Sequence, residues 1–409
     1  IGVSTAYFLG RMGHRVVVLD RREGPGLEAS FANGGMVTPS QSEPWNTPGI
    51  LFKLISWVGR EDAPVLLRLS AMPSLLGWGT AFLRHSTEAR FRRNVVKNVT
   101  LASYSQAILK DLRQNHGLHY DAAQRGTIRM YRDRHSQEHA AGLCNMLRDS
   151  GVGCEVLDSQ GVIGKEPALA PARDKITGGI FFSGDESGDA YDYCSSLAAL
   201  AAKHGAVFQF DAGVTGFRMD GRRIRAVTGS FGELEGDRFV VAGGSESLLI
   251  LKWLGLDLPV RPVKGYSLTL DVSAWDGRPL VPVIDDRFHI AVTPLTGRLR
   301  VAGTAEFCGF DLRLNADRIR NLSSFVADLY PQTAQFTAPG ISSAWAGLRP
   351  YSCDGVPVMG PTRFENLFLN TGHGHLGWTM AAGSGKLIAD LVSGNSPDLD
   401  LRPYQLDRF

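Results

Sequence analysis

Two glycine-bearing segments at opposite ends of the chain carry the residue types that hold a nucleotide. Near the start, Gly2 opens an apolar segment that runs to Gly13, and Arg15-Val16-Val17-Val18-Leu19-Asp20 follows as a β-branched run ended by a carboxylate. This order matches the second half of a dinucleotide fingerprint. A last glycine admits a pyrophosphate to a helix N-terminus, a second strand follows, and an acidic side chain about 20 residues on takes a ribose hydroxyl. Arg21 extends that corner, although Asp20 reads equally well as an ordinary strand-end turn residue. The first strand and the first two glycines of such a motif would lie upstream of Ile1, so the sequence reads as lacking its N-terminal part.

At the far end, Asn370-Thr371-Gly372-His373-Gly374-His375-Leu376-Gly377-Trp378-Thr379-Met380 precedes a helical stretch over 381–392. A glycine-rich turn opening a helix aims free N–H groups and the positive dipole end at an electron-rich ligand. A flavin, whose N1–C2 carbonyl edge becomes anionic on reduction, is stabilised by that arrangement; a nicotinamide gains no such charge. Gly372, His373, Gly374, His375, Leu376 and Gly377 are therefore candidate cofactor residues. His373 and His375 stand two apart without a third ligand in a recognisable pattern, so no metal site is expected. Between the two ends, the run 237–245 carries a strand into Gly243-Gly244-Ser245, where small residues let backbone pass close to a nucleotide. Val214, after Asp211-Ala212-Gly213, could place backbone beside an adenine in the same way.

These residues need a scaffold that brings them together. The first segment has helical spacing and a glycine stop, and the β-branched run behind it reads as a buried parallel strand. Helices are expected near 103–116, 137–148, 191–204, 245–253 and 315–329, among many short β runs. Strands then cluster without helices between them at 265–270, 280–284, 288–292 and 299–302, the pattern of an antiparallel sheet in a second domain. The predicted division is a nucleotide-binding domain of 1–45, 185–250 and 340–409, with a substrate domain of 46–184 and 251–339.

Composition agrees with a folded two-domain chain. Of 409 residues, 44% are hydrophobic and 21% charged, and 43 Lys plus Arg against 41 Asp plus Glu leave a net charge of +2. That balance excludes a strongly basic nucleic-acid binder. The 5 cysteines form no CxxC pair, which argues against structural disulfides and a zinc cluster and makes a reducing cytoplasm the default compartment. No run of about 18 apolar residues is present. Glycine is enriched, at 47 of 409 residues, against a usual level of about 7%.

Several motifs in order resemble one family. Ala32-Asn33-Gly34-Gly35, the run Pro262-Val263-Lys264-Gly265-Tyr266-Ser267-Leu268-Thr269, Gly347-Leu348-Arg349-Pro350, the run Asp354 to Gly360 and the segment 370–380 look like the bacterial FAD-dependent D-amino-acid dehydrogenases, within the wider D-amino-acid oxidase family. The likeness extends from Gly2 to Phe409. It departs in the absent first half of the fingerprint, and at His375, where a small hydroxyl residue is expected.

The resemblance implies an α/β fold: a Rossmann-like FAD-binding domain with an inserted α+β substrate domain built on an antiparallel sheet. It implies FAD as cofactor, with Asn33, Gly34 and Gly35 beside it. It gives Arg349 the role of clamping an amino-acid carboxylate, which a planar guanidinium does through two parallel hydrogen bonds. Tyr266 supplies a hydroxyl to the same carboxylate, walls the pocket or is a core tyrosine, and His289 reads as a strand residue rather than a catalyst. The implied reaction is oxidation of the Cα–N bond by hydride transfer to the flavin, the imino acid then hydrolysing to a 2-oxo acid and ammonia. That chemistry asks for orientation more than for a dedicated base.

The implied acceptor is a quinone or another electron-transfer partner at the inner membrane. The apolar stretch 48–58, with the apolar residues of 66–69 and 75–78, would make peripheral contact there unless it is core. Competing readings are a glycine, sarcosine or other secondary-amine oxidase that uses oxygen, a flavoprotein subunit active only in a complex, and a nicotinamide dehydrogenase.

Overall fold

The strand Val260–Asp271 is the spine of the larger sheet, because it is twelve residues long and pairs on both edges, over Val260–Leu270 on one and Lys264–Asp271 on the other. The computed structural model describes residues 1–57, 60, 61, 63–337 and 342–409. Across one edge of the spine lies Ser342–Ser352 and across the other Arg298–Phe307, both antiparallel. The order then continues through Ile290–Leu295, Val283–Asp285, Thr127–Tyr131 and Gly178–Phe182 to Glu155–Asp158. Two pairings are parallel: Val283–Asp285 with Thr127–Tyr131, and Val65–Leu67 with Arg298–Phe307. The helix Ala316–Leu329, started by the Asn315 side chain accepting from the Asp317 N–H at 2.9 Å, closes one face. Its Leu322, Phe325 and Val326 pack with Leu268, Leu270 and Val301 of the sheet.

The nucleotide unit is built around the first helix, Gly2–Arg11. The strand Val17–Leu19 pairs in parallel with Val207–Gln209, and Phe239–Val241 pairs in parallel with Leu367–Thr371, which has Val358–Pro361 on its other edge. A meander of Val214–Asp220, Arg223–Gly229 and Gly232–Glu235 stands beside them. The C-terminal helix Ala381–Ser393 lies between the first helix and the long helix Glu88–Asn115. Glycines set both spacings: a Cβ on Gly385 would stand 2.5 Å from Ser4 Cβ, and one on Gly383 would stand 2.7 Å from Ser105 Cα. Tyr7, Leu101, Leu109, Leu387 and Ile388 fill the core they enclose.

Three expectations differ from the structure. The run Arg15–Asp20 forms a strand only over Val17–Leu19, and it is half-buried to exposed rather than buried. The long helix Glu88–Asn115, expected in the substrate domain, is shared: Phe91, Val95 and Val99 pack with Tyr131, Ile180 and Phe182 of the larger sheet, while Leu101, Ala102, Leu109 and Leu112 join the core around the first and last helices. The boundary placed at 339/340 lies outside the described residues. The strand Ser342–Ser352, assigned to the nucleotide unit, is instead an edge of the larger sheet.

Two devices join the units. The loop Ala32–Gly35 turns successive carbonyls toward the sheet, where Ser267 Oγ donates to Ala32 (2.6 Å), Arg300 Nη1 to Asn33 (2.8 Å) and Thr293 Oγ1 to Gly34 (2.6 Å). The Gly188 N–H closes the series on Gly35 at 2.9 Å. Near the end of the chain, Arg408 grips the buried Asp354 through Nε (2.8 Å) and Nη2 (3.0 Å) and donates to the Val356 carbonyl at 2.7 Å. Burial alone would raise the Asp354 pKa, but the Arg408 charge and hydrogen bonds outweigh it and hold the carboxyl below its usual range.

Removing one partner of such a pair strands a buried charge, so Arg408→Ala is expected to lower stability by about 3–5 kcal/mol in denaturant unfolding at neutral pH. Because the folded-state pKa is depressed, the stabilisation is present above the unfolded carboxyl value and lost as pH falls through the folded one. The gap between wild type and variant should therefore narrow in acid, and a gap independent of pH would contradict the assignment.

Candidate active site

One cavity of 3120 Å³ runs between the units, and most of the residues singled out from the sequence line it. At one end are Gly2, Asp20, Arg21 and Val214. Asp20 is fixed by its own backbone, donating to Gln209 O at 3.0 Å, while its carboxylate accepts from the Arg22 N–H at 2.9 Å. Burial raises its pKa above the usual carboxylate value. Gly213 stands against Arg21, a Cβ there meeting Arg21 Cβ at 3.7 Å, which brings Val214 to this corner. The Arg21 guanidinium is committed to Glu28 (2.6 Å) and Glu246 (3.0 Å). Gly243 lines the middle, and Thr371 Oγ1 donates to Gly244 O at 2.9 Å, tying this turn to the C-terminal motif.

In that motif, Gly374–Leu376 forms a short 3-10 turn before the helix Ala381–Ser393. Its leading N–H groups have no acceptor within the turn, and Gly374 takes φ +56° with its Cα against the Tyr351 ring. His373, Gly374, His375 and Gly377 line the cavity; Gly372 and Leu376 do not. Gly372 packs against Val260 and Val358, and Leu376 lies in the core, so these two shape the turn from behind.

His375 Nε2 lies 3.1 Å from the Gln41 carbonyl, which makes that nitrogen the protonated one and leaves Nδ1 buried without a partner. The ring continues a stack with Trp45 and Tyr351, at centroid distances of 5.8 and 6.2 Å. Burial, reinforced by the charge of Arg349, lowers its pKa to about 4, so the imidazole is neutral at physiological pH. Burial likewise lowers His373 to about 3.

Arg349 sits on the wall formed by the larger sheet. Its Nη1 donates to the Thr304 carbonyl at 3.1 Å, and no acidic side chain pairs with it among the described residues. Burial alone lowers its pKa to about 10. The guanidinium lies flat on Gly265, where a Cβ would stand 2.1 Å from Nη1, and the Trp345 ring covers Gly347 equally closely. Gly265 and Gly347 are cross-strand partners, so two bare backbones face each other beneath a cation and an indole. Thr304 occupies the bulge where the pairing shifts between Lys264 and Tyr266, at φ +57°. That conformation is rare for a β-branched residue, and it aims the carbonyl at Arg349.

Tyr266 belongs to the buried core of the larger sheet. It touches the cavity, but its hydroxyl donates to Glu306, which also binds Arg68 Nε at 2.6 Å and Lys264 Nζ at 3.5 Å. Alternation along the strand turns the Tyr266 side chain away from the face that carries Gly265, and its ring joins the core under Ala316–Leu329. Asn33, Gly34 and Gly35 do line the cavity, held by Ser267, Arg300 and Thr293. Sequence reading missed those donors and the Thr304 bulge. A lone arginine inside the apolar run Leu299–Val301 was the available signal, because such a residue needs a specific acceptor. The His289 backbone, at φ +51°, makes a turn before Ile290–Leu295 rather than a strand.

Comparison with known proteins gives a consistent picture. A sequence model of FAD-dependent oxidoreductases, the DAO family, matches residues 1–391. A D-amino acid dehydrogenase of Granulibacter bethesdensis is 42% identical over 409 residues, covering 100% of this chain and 97% of that protein. One from Methylobacterium nodulans is 44% identical over 405 residues, covering 98% and 94%. The crystal structure of glycine oxidase from Geobacillus kaustophilus superposes with a TM-score of 0.78 at 23% identity, covering 100% of this chain and 96% of that one; it shows the shared fold.

Replacing the planar fork by an ammonium removes the two-point contact, so Arg349→Lys should weaken binding of a simple carboxylate by about 1.5–3 kcal/mol in calorimetric titration. Gly265→Ala puts a methyl where Nη1 now lies and should cost at least about tenfold in the same affinity, with Arg349 intact. Unchanged affinity in both variants would remove Arg349 as the clamp.

Proposed function

The chain belongs to the family of FAD-dependent oxidoreductases, and from that premise we propose that it oxidatively deaminates D-amino acids to 2-oxo acids and ammonia. The observation that carries the reading is Arg349: an enclosed guanidinium without an acidic partner among the described residues, on the wall of the cavity that the nucleotide-binding segments also line. A cation so placed is an anion site, and its planar fork suits a carboxylate. The preference for D-amino acids is taken from the two relatives named for that activity, which match this chain over nearly their whole length.

The residues present fit FAD. Asp20 would hold a ribose hydroxyl, Gly2 would admit the pyrophosphate to the first helix, and the Gly374–Leu376 turn would meet the flavin carbonyl edge with its N–H groups. When bound, FAD supplies the two-electron acceptor for the α-hydride. Arg349 holds the carboxylate end, and the small wall residues Gly265, Ala291 and Ala302 leave a low surface on the cavity side of the sheet. Glu43 and Asp286 also reach the cavity but are both bound to Arg129, at 3.2 and 2.6 Å. Positioning of the substrate, rather than a free carboxylate base, is what this wall offers.

Electrons would pass to a respiratory acceptor at a membrane surface. No helix among the described residues is long and apolar enough to cross a membrane. The helix Ile50–Trp57 and the segment 69–84 each expose apolar side chains, Phe52 79% and Ile55 63% on the one, Leu69 83% and Leu76 65% on the other. Exposed apolar residues with Arg84 on the second helix suit an anionic lipid interface. Val58, at the end of the apolar stretch read from the sequence, lies outside the described residues.

An anaerobic visible spectrum of the FAD-loaded protein tests the reaction. D-amino acids should bleach the flavin band and L-amino acids should not; bleaching by glycine or sarcosine in preference to any D-amino acid would overturn the reading. The triple variant Phe52→Ser, Leu69→Ser, Leu76→Ser should sediment less with anionic vesicles while its flavin still bleaches. Equal sedimentation of variant and wild type would dismiss the lipid face.

A further inference from the structure

We propose that Cys144 and Cys154 are a modification site, a pair of thiols that hydrogen peroxide converts to a disulfide, and that this bond pins a helix of the cavity wall to the larger sheet. Neither cysteine lines the cavity, so the pair lies outside the amino-acid site.

The pair is made by a helix end. The helix Arg134–Asp149 stops in a Schellman motif: the N–H of Gly151, at φ +84°, donates to Arg148 O at 2.9 Å, and that of Val152 to Leu147 O at 2.9 Å. The reversal sends the following residues back along the last turns of the helix. Arg148 secures the return by donating Nη2 to the Cys154 carbonyl at 2.8 Å. Cys154 Sγ thereby comes to 3.4 Å from the Cys144 carbonyl oxygen, and the two thiols are hydrogen-bond neighbours. A disulfide asks for Cα atoms about 4.4–6.8 Å apart. A sulfur that rests on the other cysteine's backbone needs only side-chain rotation to close the bond.

The two thiols differ in the way a two-step oxidation requires. Cys154 is half-buried and open to a small oxidant, whereas Cys144 is 1% exposed and packs with Leu147, Ile180 and Phe182. Burial and the neighbouring Cys154 push the Cys144 thiol up to about 12, so Cys144 is the resolving partner. The Cys154 thiolate attacks one peroxide oxygen, giving a sulfenic acid and hydroxide. The Cys144 sulfur then displaces the sulfenic hydroxyl, which leaves as water with the Cys144 proton, and the S–S bond forms. The thiols give up two electrons and two protons, and the peroxide becomes two waters. His135, Ser136, His139 and Ala140 of the helix line the cavity, while Cys144 and Leu147 fill the core behind it. The bond would join this wall to the chain entering Glu155–Asp158, the last strand of the larger sheet. Cys308 is an internal comparison, half-buried as well, with its sulfur on the carbonyls of Asp311 (3.4 Å) and Glu306 (3.9 Å).

Tryptic mapping of the FAD-loaded protein without reductant tests the bond. Cleavage after Arg134, Arg148 and Lys165 puts the two cysteines on separate peptides, 135–148 and 149–165. After hydrogen peroxide these should appear joined, at their summed mass less two hydrogens, and dithiothreitol should part them. Cys144→Ser should leave Cys154 as a sulfenic acid that dimedone traps, and Cys154→Ser should leave Cys144 a free thiol. Oxidised wild type should unfold at a higher Tm than the reduced protein, a rise absent from both variants. Cys144 and Cys154 both staying free while Cys308 is oxidised overturns the site, as does Cys154 passing to a sulfinic acid without joined peptides. Joined peptides with an unchanged Tm would overturn the pinning of the helix.

Discussion

A guanidinium enclosed without an acidic partner among the described residues is the constraint around which the rest of the site is arranged. Arg349 keeps its charge in a setting that disfavours charge, so everything that touches it either supports it without neutralising it or stays out of its way. Gly265 gives it a flat backbone to rest on, and Thr304 adopts a rare left-handed conformation that delivers a carbonyl dipole instead of a carboxylate. The acidic groups nearby in sequence or on the same wall are all engaged elsewhere: Glu43 and Asp286 with Arg129, and Glu306 with Arg68 and Lys264 behind the sheet. A cation desolvated in this way attracts an incoming anion more strongly than a solvated one would, because its field is poorly screened.

The same logic places His375. A protonated imidazole beside Arg349 would add repulsion to desolvation, and the structure keeps it neutral by burying it in the Trp45 and Tyr351 stack and satisfying Nε2 on Gln41. Next to the glycine turn the charge is thereby that of Arg349, not of an imidazolium. The nucleotide segments come from one structural unit and this charge from the other, so their separation depends on how the units are joined. The Ala32–Gly35 loop makes that join with its backbone, giving up successive carbonyls to Ser267, Arg300 and Thr293.

Much of this was legible in the sequence, and the limits follow from physics. Segments whose role depends on backbone and local order were readable: Gly2 with its helix, Asp20 after a β-branched run, and the glycine turn before Ala381–Ser393 all line the cavity or lead into it. Roles that depend on the facing of a side chain across a sheet were not. Tyr266 and Gly265 are adjacent in one motif, yet the pleat sends one to Glu306 and leaves the other under Arg349. Domain membership was only partly legible for a related reason. Helices and strands belong to a core by what they bury against: Glu88–Asn115 divides its buried residues between both cores, and Ser342–Ser352 pairs with the larger sheet. The bulge at Thr304 left no trace in composition, because it exists only in the mismatch between two registers.

The loop that joins the units has a kinetic meaning as well as a geometric one. Its three side-chain donors lie 235, 259 and 267 residues away along the chain. Contacts of such separation require long loop closures in folding and reward them late. The helical core needs closures longer still, since Gly385 packs on Ser4 and Asn370 Nδ2 donates to Thr5 Oγ1 across 365 residues. Joint and helical core are therefore expected to close late, once nearly the whole chain is available, and the cavity between the units takes shape only then. A nucleotide bridging both units would act as a latch on that final step.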